Sequence, residues 1–161
     1  MNLDQAFDLV VGTEGGYSNR SPQDDPGGET MWGVTARMAR AHGYAGEMRD
    51  LPKDAAKAIY AESYWSTAGI DSLPDAIRFD VFDAAVNSGP SQAIKWLQHV
   101  VGTDEDGVVG PHTLMCLSAV PTAEVRRRYT GARLHFMTSC SNWQSNSRGW
   151  AIRIADLLIE P

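Results

Sequence analysis

The 161-residue sequence predicts a mainly α-helical α+β fold with one small β-hairpin lobe near its N-terminus. Three observations lead to this prediction. Apolar residues recur at helical spacing along most of the chain, prolines and glycines separate these stretches, and a single turn-rich stretch covers residues 18–28. A chain of this length is expected to form one compact domain over residues 1–161, large enough to bury a core.

The first helix is expected to run from Asn2 to about Glu14. Asn2 is a favoured N-cap residue with Gln5 three positions later, and apolar residues follow at helical spacing. Gly15-Gly16 supplies a break that would end this helix. The pattern therefore places the Glu14 carboxylate at the negative end of a helix macrodipole, where a negative charge is unfavourable.

A turn-forming stretch follows, in which Ser, Asn, Asp, Pro and Gly occupy most of residues 18–28. These residue types favour turns and do not sustain a helix. With the segment 30–35, Thr-Met-Trp-Gly-Val-Thr, the stretch predicts a small β-hairpin or an irregular lobe. We expect this lobe to lie over a cleft whose floor is a central helix at 75–88.

The remaining chain is predicted to be helical, with prolines opening helices and glycines closing them. Thr35 can cap a short helix that stops at Gly43. The later helices are expected at 52–64, 75–88, 90–101, about 112–119, 122–139 and 146–159.

Composition and charge argue against several classes of function. A net charge of −6 is unfavourable for binding nucleic acid, and no stretch approaches the ~20 apolar residues of a membrane span. Cys116 and Cys140 are too few for a disulfide framework, and their apolar neighbours predict that both lie reduced in the core. The run Arg126-Arg127-Arg128 either faces an anionic polymer or lies on a solvated helix face.

Metal and cofactor sites are not predicted. The four histidines, His42, His99, His112 and His135, are scattered, without an HExxH motif or an i, i+4 pair. A phosphate-binding glycine loop and a GxSxG motif are also absent from the sequence.

Glu14 is the candidate for a catalytic acid. A carboxyl group at a helix C-terminus, if also desolvated, tends to stay protonated near neutral pH. A protonated carboxylic acid is the group that cleavage of a glycosidic bond requires at the leaving oxygen.

A second carboxylate is expected on the lobe that follows, where Asp24 and Asp25 are the candidates. In an inverting glycosidase the second carboxylate activates a water, and the hydroxyl of Thr30 could help to hold that water. The alternative is that the Asp24-Asp25-Pro26-Gly27 segment forms a turn with no catalytic role.

The motifs around these residues resemble a known family. Glu14-Gly15-Gly16-Tyr17 and the run DPGGETMWGVT at 25–35 are similar to the signature of glycoside hydrolase family 108. The resemblance continues through Tyr64-Trp65, 79–89 and 93–98. The segment 106–113, Asp-Gly-Val-Val-Gly-Pro-His-Thr, is similar to the C-terminal peptidoglycan-binding-type region of that family. In all, the resemblance spans roughly residues 14–113.

The resemblance implies a lysozyme-like fold and an N-acetylmuramidase of the phage endolysin type. Its catalytic glutamate falls on Glu14, and its bond is the β-1,4 linkage between N-acetylmuramic acid and N-acetylglucosamine. Asp25 fits the DPGG motif, whereas Asp24 fits the aspartate-to-threonine gap of the more distant phage-type lysozymes, so the choice between them stays open. Residues 1–87 would form the catalytic part, and 88–161 a C-terminal peptidoglycan-binding-type helical part packed on it.

Four further residues are candidates for substrate binding. Tyr17, Tyr64 and Trp65 could stack on sugar rings, with burial in the core as the alternative for Tyr64 and Trp65. Asn87 lies at a predicted helix end and could bond an N-acetyl group or cap the helix.

The expected partner is bacterial peptidoglycan, with no nucleic acid, no membrane insertion, no cofactor and a monomeric state. The N-terminus lacks a secretory signal peptide. We therefore expect synthesis in a host cytoplasm and action on the cell wall, in the periplasm, after holin-type release; a bacterial enzyme exported by a special route is the second setting. Two rival functions are a lytic transglycosylase, which leaves 1,6-anhydro ends, and a non-catalytic peptidoglycan-binding protein.

Overall fold

The computed structural model describes residues 1–12, 15–19 and 28–159. The chain divides into two compact units, Met1–Ser66 and Thr67–Pro161. Helices dominate both units, and a small antiparallel sheet lies in the first. The predicted class, a mainly helical lysozyme-like α+β fold with a small β lobe, is confirmed.

The first helix, α1, spans Leu3–Val11 and begins at the predicted cap. The Asn2 side chain accepts a hydrogen bond from the Gln5 backbone N–H, and the Gln5 side chain accepts one from the Asn2 N–H. The predicted end near Glu14 is wrong, because α1 ends at Val11. Gly12 turns the chain out of the helix with φ +65°, three residues before Gly15.

Three short strands form the sheet: β1 (Ser18–Asn19), β2 (Glu29–Met31) and β3 (Val34–Thr35). They are antiparallel in the order β1-β2-β3. Trp32 and Gly33 connect β2 to β3 with φ +54° and +74°, the two positive φ values of a type I′ hairpin turn. The predicted hairpin is therefore present, and a third strand is added to it.

The rest of the first unit is helical. Helix α2 (Ala36–Ala41) is capped as predicted, since the Thr35 hydroxyl accepts from the Met38 N–H at 3.2 Å. A 3₁₀ turn (Met48–Asp50) leads to α3 (Lys53–Tyr60), which continues into a π-helical segment (Ala61–Ser66). The most buried apolar side chains of the unit come from all of these elements and from α1 and β3: Ala6, Phe7, Val34, Ala39, Met48, Leu51, Ala56, Ile59, Tyr60 and Trp65.

The second unit contains a 3₁₀ turn (Ile70–Ser72) and five helices in its described part. They are α4 (Asp75–Ser88), α5 (Pro90–Val101), α6 (Pro111–Ser118), α7 (Thr122–Ser139) and α8 (Trp143–Ile159). All five lie where the pattern of prolines, glycines and apolar residues predicts them, with α8 beginning three residues early. No helix of the described part is long and apolar enough to cross a membrane.

Helix α4 is the central helix of the second unit, because it packs against both α5 and α7 and is buried on most of its surface. Its buried residues are Ile77, Asp80, Val81, Phe82, Asp83, Ala84 and Ala85. Helix α7 also packs against α8, where Met137, Ile154 and Leu157 form a second apolar cluster.

The two buried aspartates of α4 are compensated by arginines from α7 and α8. Arg126 Nε donates to Asp80 at 2.7 Å, and Asp83 accepts from Arg133 at 2.7 Å and from Arg153 at 2.6 Å. Burial nevertheless raises the pKa of Asp80, because desolvation outweighs the attraction of Arg126. These ion pairs tie three helices together.

The prediction that both cysteines lie in the core is wrong. Cys116 and Cys140 are free thiols of intermediate exposure near the ends of α6 and α7. The Cys140 thiol lies 3.5 Å from the Phe136 carbonyl, to which it donates. Apolar neighbours in the sequence do not predict burial here, because successive residues of a helix point in different directions and only one face of the helix is buried.

Candidate functional site

Three of the predicted catalytic residues, Glu14, Asp24 and Asp25, lie outside the described residues, and their roles stay predictions. The chain on either side of Glu14 is held in place. The Gly12 N–H donates to the Asp8 carbonyl at 2.9 Å, and the Gly15 carbonyl accepts from the Trp32 N–H at 3.0 Å. The described residues that flank Glu14 are thus bonded to α1, through Gly12, and to the β2–β3 turn, through Gly15.

Gly15 is buried, and a larger residue there would require neighbouring side chains to move. A Cβ atom at this position would overlap the Val11 side chain on one side and the Trp32 ring on the other. The first glycine of the Glu-Gly-Gly-Tyr motif is therefore explained by close packing of the chain against Trp32.

Trp32 is fixed in the positive-φ conformation by its surroundings. Its indole Nε1 donates to the Leu51 carbonyl at 2.9 Å, and Lys53 Nζ lies 5.8 Å from the ring centroid. Lys53 also forms an ion pair with Asp8 at 2.7 Å. Gly33 beside it faces the Tyr60 hydroxyl, which a Cβ atom would overlap. The turn is thus packed against α3 and the residue Leu51 that precedes it.

Tyr17, predicted to stack on a sugar, lies just before β1 with 36% of its surface exposed. Its hydroxyl donates to Glu29 Oε1 at 2.6 Å, and the Arg49 guanidinium lies 5.3 Å from the ring centroid. The hydrogen bond to the Glu29 carboxylate raises the pKa of the Tyr17 phenol. The side chain is therefore held at its hydroxyl by Glu29 and contacted on one ring face by Arg49, while it stays partly open to a ligand.

Thr30, the predicted catalytic hydroxyl, lies half-buried in the central strand β2. Its cross-strand neighbours are Ser18 in β1 and Thr35 in β3. Residues directly opposite each other share a face of the sheet. One face of the lobe therefore carries a row of three hydroxyl side chains, of which that of Thr35 is used to cap α2.

Tyr64 and Trp65 lie together in the π-helical segment. Tyr64 is half-buried, its hydroxyl donates to Met38 Sδ at 3.8 Å, and burial raises the pKa of its phenol. Trp65 is only 3% exposed and belongs to the core of the first unit. Stacking of either residue on a sugar stays a prediction, and the burial of Trp65 weighs against it.

Asn87, predicted to bind an N-acetyl group or cap a helix, lies in the last turn of α4. Its Nδ2 donates to the Asp83 carbonyl at 2.6 Å and lies 3.4 Å from the Asp83 carboxylate. Gly89, with φ +86°, is the residue that closes the helix. The Asn87 amide nitrogen is thus engaged by the preceding turn, and its ligand role stays a prediction.

The segment 106–113, which resembles a peptidoglycan-binding-type region, consists of a loop over 106–110 and the start of α6, and Gln98 of α5 bonds both parts. Gln98 Nε2 donates to Asp106 at 2.6 Å, to the Val108 carbonyl at 3.0 Å and to Thr113 at 3.2 Å. The Gln98 hydrogen bond lowers the pKa of Asp106. These contacts give the motif a structural role in joining α5 to α6.

The run Arg126-Arg127-Arg128 is partnered within the second unit. Arg126 bonds Asp80, while Arg127 and Arg128 both bond Glu124, at 2.6 and 2.7 Å. These two arginines lower the pKa of Glu124 to about 2. Two guanidiniums share one carboxylate, so the group formed by Arg127, Arg128 and Glu124 has a net charge of one positive unit.

The sequence did not single out Glu29, Arg49 or Lys53, which orient Tyr17 and Trp32. Glu29 and Trp32 belong to the motif at 25–35, but the motif does not indicate which residues they contact. The 3₁₀ turn brings Arg49 to Tyr17, and α3 brings Lys53 to Trp32. No local sequence pattern indicates these contacts. Among the described residues, no three His, Cys, Asp or Glu side chains gather as metal ligands.

The family model described as glycosyl hydrolase 108 matches residues 7–89, about half of the chain. The chain belongs to glycosyl hydrolase family 108. A solved structure titled "Structure of Brucella abortus SagA" is similar to this family 108 chain, with a TM-score of 0.85 and 31% sequence identity. That similarity covers 96% of this chain and 90% of the other. No curated protein sequence matches.

Membership of family 108 makes the protein a glycoside hydrolase by class and supports peptidoglycan as its substrate. The matched residues end at 89, so segment 106–113 lies outside them and its assignment as a peptidoglycan-binding-type region stays a prediction.

Proposed function

We propose that this family 108 protein is a muramidase that hydrolyses the β-1,4 bond between N-acetylmuramic acid and N-acetylglucosamine. One observation carries the proposal. The family match over residues 7–89 contains every residue that the sequence singled out for the site, namely Glu14, Tyr17, Asp24, Asp25, Thr30, Tyr64, Trp65 and Asn87. Release to the cell wall by a holin-type route, expected from the sequence, belongs to the same proposal.

Glu14 is the proposed general acid. Its carboxyl proton passes to the glycosidic oxygen as the bond to the sugar C1 breaks, and the leaving sugar departs as an alcohol. The anchoring of Gly12 and Gly15 supports this role, since a catalytic acid needs a fixed approach to its acceptor. The early end of α1 removes the helix-dipole argument for a raised pKa, so the proposal depends on the family match.

Asp25 or Asp24 is the proposed base. The ionised carboxylate takes a proton from a water, which attacks C1 from the opposite face of the ring, and the Thr30 hydroxyl helps to position that water. The place of Thr30 in the central strand, with partners on both sides, supports its part in holding a reactant.

Substrate binding is assigned to Tyr17, Tyr64, Trp65 and Asn87. Tyr17 has the strongest support, because its ring is partly exposed while its hydroxyl is fixed by Glu29. The proposal keeps residues 1–87 as the catalytic part and 88–161 as the peptidoglycan-binding part.

The first test is Glu14→Gln, with Glu47→Gln as its matched control. Gln retains the shape of Glu and cannot supply the proton, and acid catalysis is typically worth about 10²–10⁴ in rate. Glu47 has no proposed catalytic or binding role; its side chain is 77% exposed and lies 3.6 Å from the exposed Arg49. Clearing of purified cell walls should fall about 10²-fold or more for Glu14→Gln and stay near wild type for Glu47→Gln. A folded Glu14→Gln variant that clears walls at the native rate would remove Glu14 from the mechanism.

A further inference from the structure

The second unit carries an open groove between α5 and α7, formed by residues outside the proposed catalytic site. Its volume is about 450 Å³, within the range of sites for small ligands. Two imidazoles, one guanidinium and three small or apolar residues line it: His99, Val100, Arg128, Gly131, Ala132 and His135.

Gly131 keeps this groove open. It lies inside α7, where glycine is less favourable than alanine, and its φ is not positive. A Cβ atom there would meet no other atom within 4 Å, so no described neighbour requires a glycine. Among the described residues, the effect of a glycine at position 131 is to leave space between α5 and α7.

The charge of the groove favours a single anionic group. Arg128 Nε donates to Glu124 at 2.7 Å and Nη1 lies 3.5 Å from the Val100 carbonyl, while half of the side chain stays exposed. Glu124 is shared with Arg127, so these two arginines exceed their carboxylate by one positive charge, and a second carboxylate, that of Glu105, lies beside His99 at the other edge.

The imidazoles provide further donors. His99 Nδ1 is 2.8 Å from Glu105, and neither His99 Nε2 nor the His135 ring has a hydrogen-bond partner among the described residues. Val100 and Ala132 supply an apolar floor beside them.

We propose that this groove binds the free carboxyl end of a peptidoglycan stem peptide, whose terminal residue is an alanine. The carboxylate would accept hydrogen bonds from Arg128 and the two imidazoles, and the alanyl methyl would lie on Val100 and Ala132. A singly charged carboxylate suits this groove better than a phosphate, because the Glu105 and Glu124 carboxylates at its edges repel a second negative charge. The ligand class rests on the proposed function, while the groove itself does not.

Binding is tested with N-acetyl-D-alanyl-D-alanine on the intact chain, observed through the imidazole resonances in proton NMR. The chain has four histidines, which makes the spectrum simple. We expect saturable shifts of His99 and His135 with a Kd of about 1 mM, as for a ligand of this size. His42 and His112, which bond Ser63 and Thr103, should not move.

Two variants locate the site. Gly131→Leu fills the groove and should weaken binding about tenfold or more, whereas Gly149→Leu, at a second open glycine in α8, should bind as wild type. Arg128→Gln removes the cation, preserves the space, and should also weaken binding about tenfold. Circular dichroism confirms that each variant is folded.

Several outcomes would overturn the proposal: shifts absent at about ten times the expected Kd, equal binding of the C-terminally amidated probe, tighter binding of inorganic phosphate, or equal losses in Gly131→Leu and Gly149→Leu. A chain that cleaves walls and ignores the probe would overturn the groove alone. A chain that binds the probe and cleaves no glycan would overturn the proposed function and leave the groove standing.

Discussion

At the scale of single residues, Asp24 and Asp25 are adjacent and chemically equivalent, and they differ by one position in their spacing from Thr30. We predict that Asp25→Asn costs more lytic activity than Asp24→Asn, because Asp25 fits the DPGG motif, and that Thr30→Val is also impaired. Turbidity assays on folded variants at matched concentration decide the order. Greater sensitivity at Asp24 would favour the phage-type register, and two dispensable carboxylates would contradict the two-carboxylate mechanism.

Residue roles could be predicted from the sequence where the determinant is local. The Asn2–Gln5 capping box and the Thr35 cap are contacts across three residues, and both are present. The pairing of Asp83 with Arg133 joins residues 50 positions apart, and no local pattern indicates it. The same limit applies to Tyr17: its residue type predicts sugar binding, whereas no local pattern indicates its partners Glu29 and Arg49.

The Asp83 cluster leads to a prediction about stability. Asp83→Asn should lower the free energy of unfolding by about 3–5 kcal/mol, since it leaves the fully buried Arg133 without its carboxylate. Arg153→Gln, which removes the 38% exposed partner of the same carboxylate, should cost about 1 kcal/mol or less. Urea denaturation measures both. Equal losses of unfolding free energy in the two variants would contradict the claim that leaving the buried Arg133 charge unpaired is the main cost.

At the scale of elements, the β lobe shows what composition can and cannot locate. The turn-rich stretch 18–28 predicts a departure from helix before a hairpin, and its described ends, Ser18–Asn19 and Gly28, are not helical. The tight turn itself falls on Trp32-Gly33, although Trp is an unusual residue at positive φ. The turn forms there because Trp32 bonds Leu51 and Gly33 lies against Tyr60, contacts that come from elements later in the chain.

The turn can be tested by Gly33→Ala, with Gly43→Ala as the matched control. Gly43 has φ +82° and open space around its Cβ position, so alanine there should cost only the strain of positive φ, about 1–2 kcal/mol. Gly33→Ala adds an overlap with the Tyr60 hydroxyl, and we expect a further loss of roughly 1–3 kcal/mol. Denaturant midpoints compare the two. A Gly33→Ala variant as stable as Gly43→Ala would contradict the packing assigned to this turn.

Helix ends were the weakest prediction at this scale. Gly12, Gly15 and Gly16 all follow α1 closely, and spacing alone did not show which one ends the helix. Gly12 adopts the positive φ that ends it, whereas Gly15 serves a close contact with Trp32. Two glycines of the same segment therefore have different physical roles, which only tertiary packing distinguishes.

At the scale of the whole molecule, the sequence predicted the fold class and the five α-helices of the described part of the second unit. Prolines at 74, 90, 111 and 121 stand at helix starts, and this signal is independent of tertiary contacts. The division into units Met1–Ser66 and Thr67–Pro161 was not predicted, because it depends on which elements pack together. The predicted division of roles at residue 87 remains a prediction about function.

The central claim, a peptidoglycan hydrolase with Glu14 as its acid, is tested most directly by mass spectrometry of the products from purified peptidoglycan. A hydrolase adds water, so the account predicts muropeptides that end in reducing N-acetylmuramic acid, formed by the wild type and not by Glu14→Gln. Products one water lighter, with 1,6-anhydro ends, would contradict hydrolysis and identify a lytic transglycosylase. Undigested peptidoglycan in the presence of folded wild-type protein would contradict catalysis altogether.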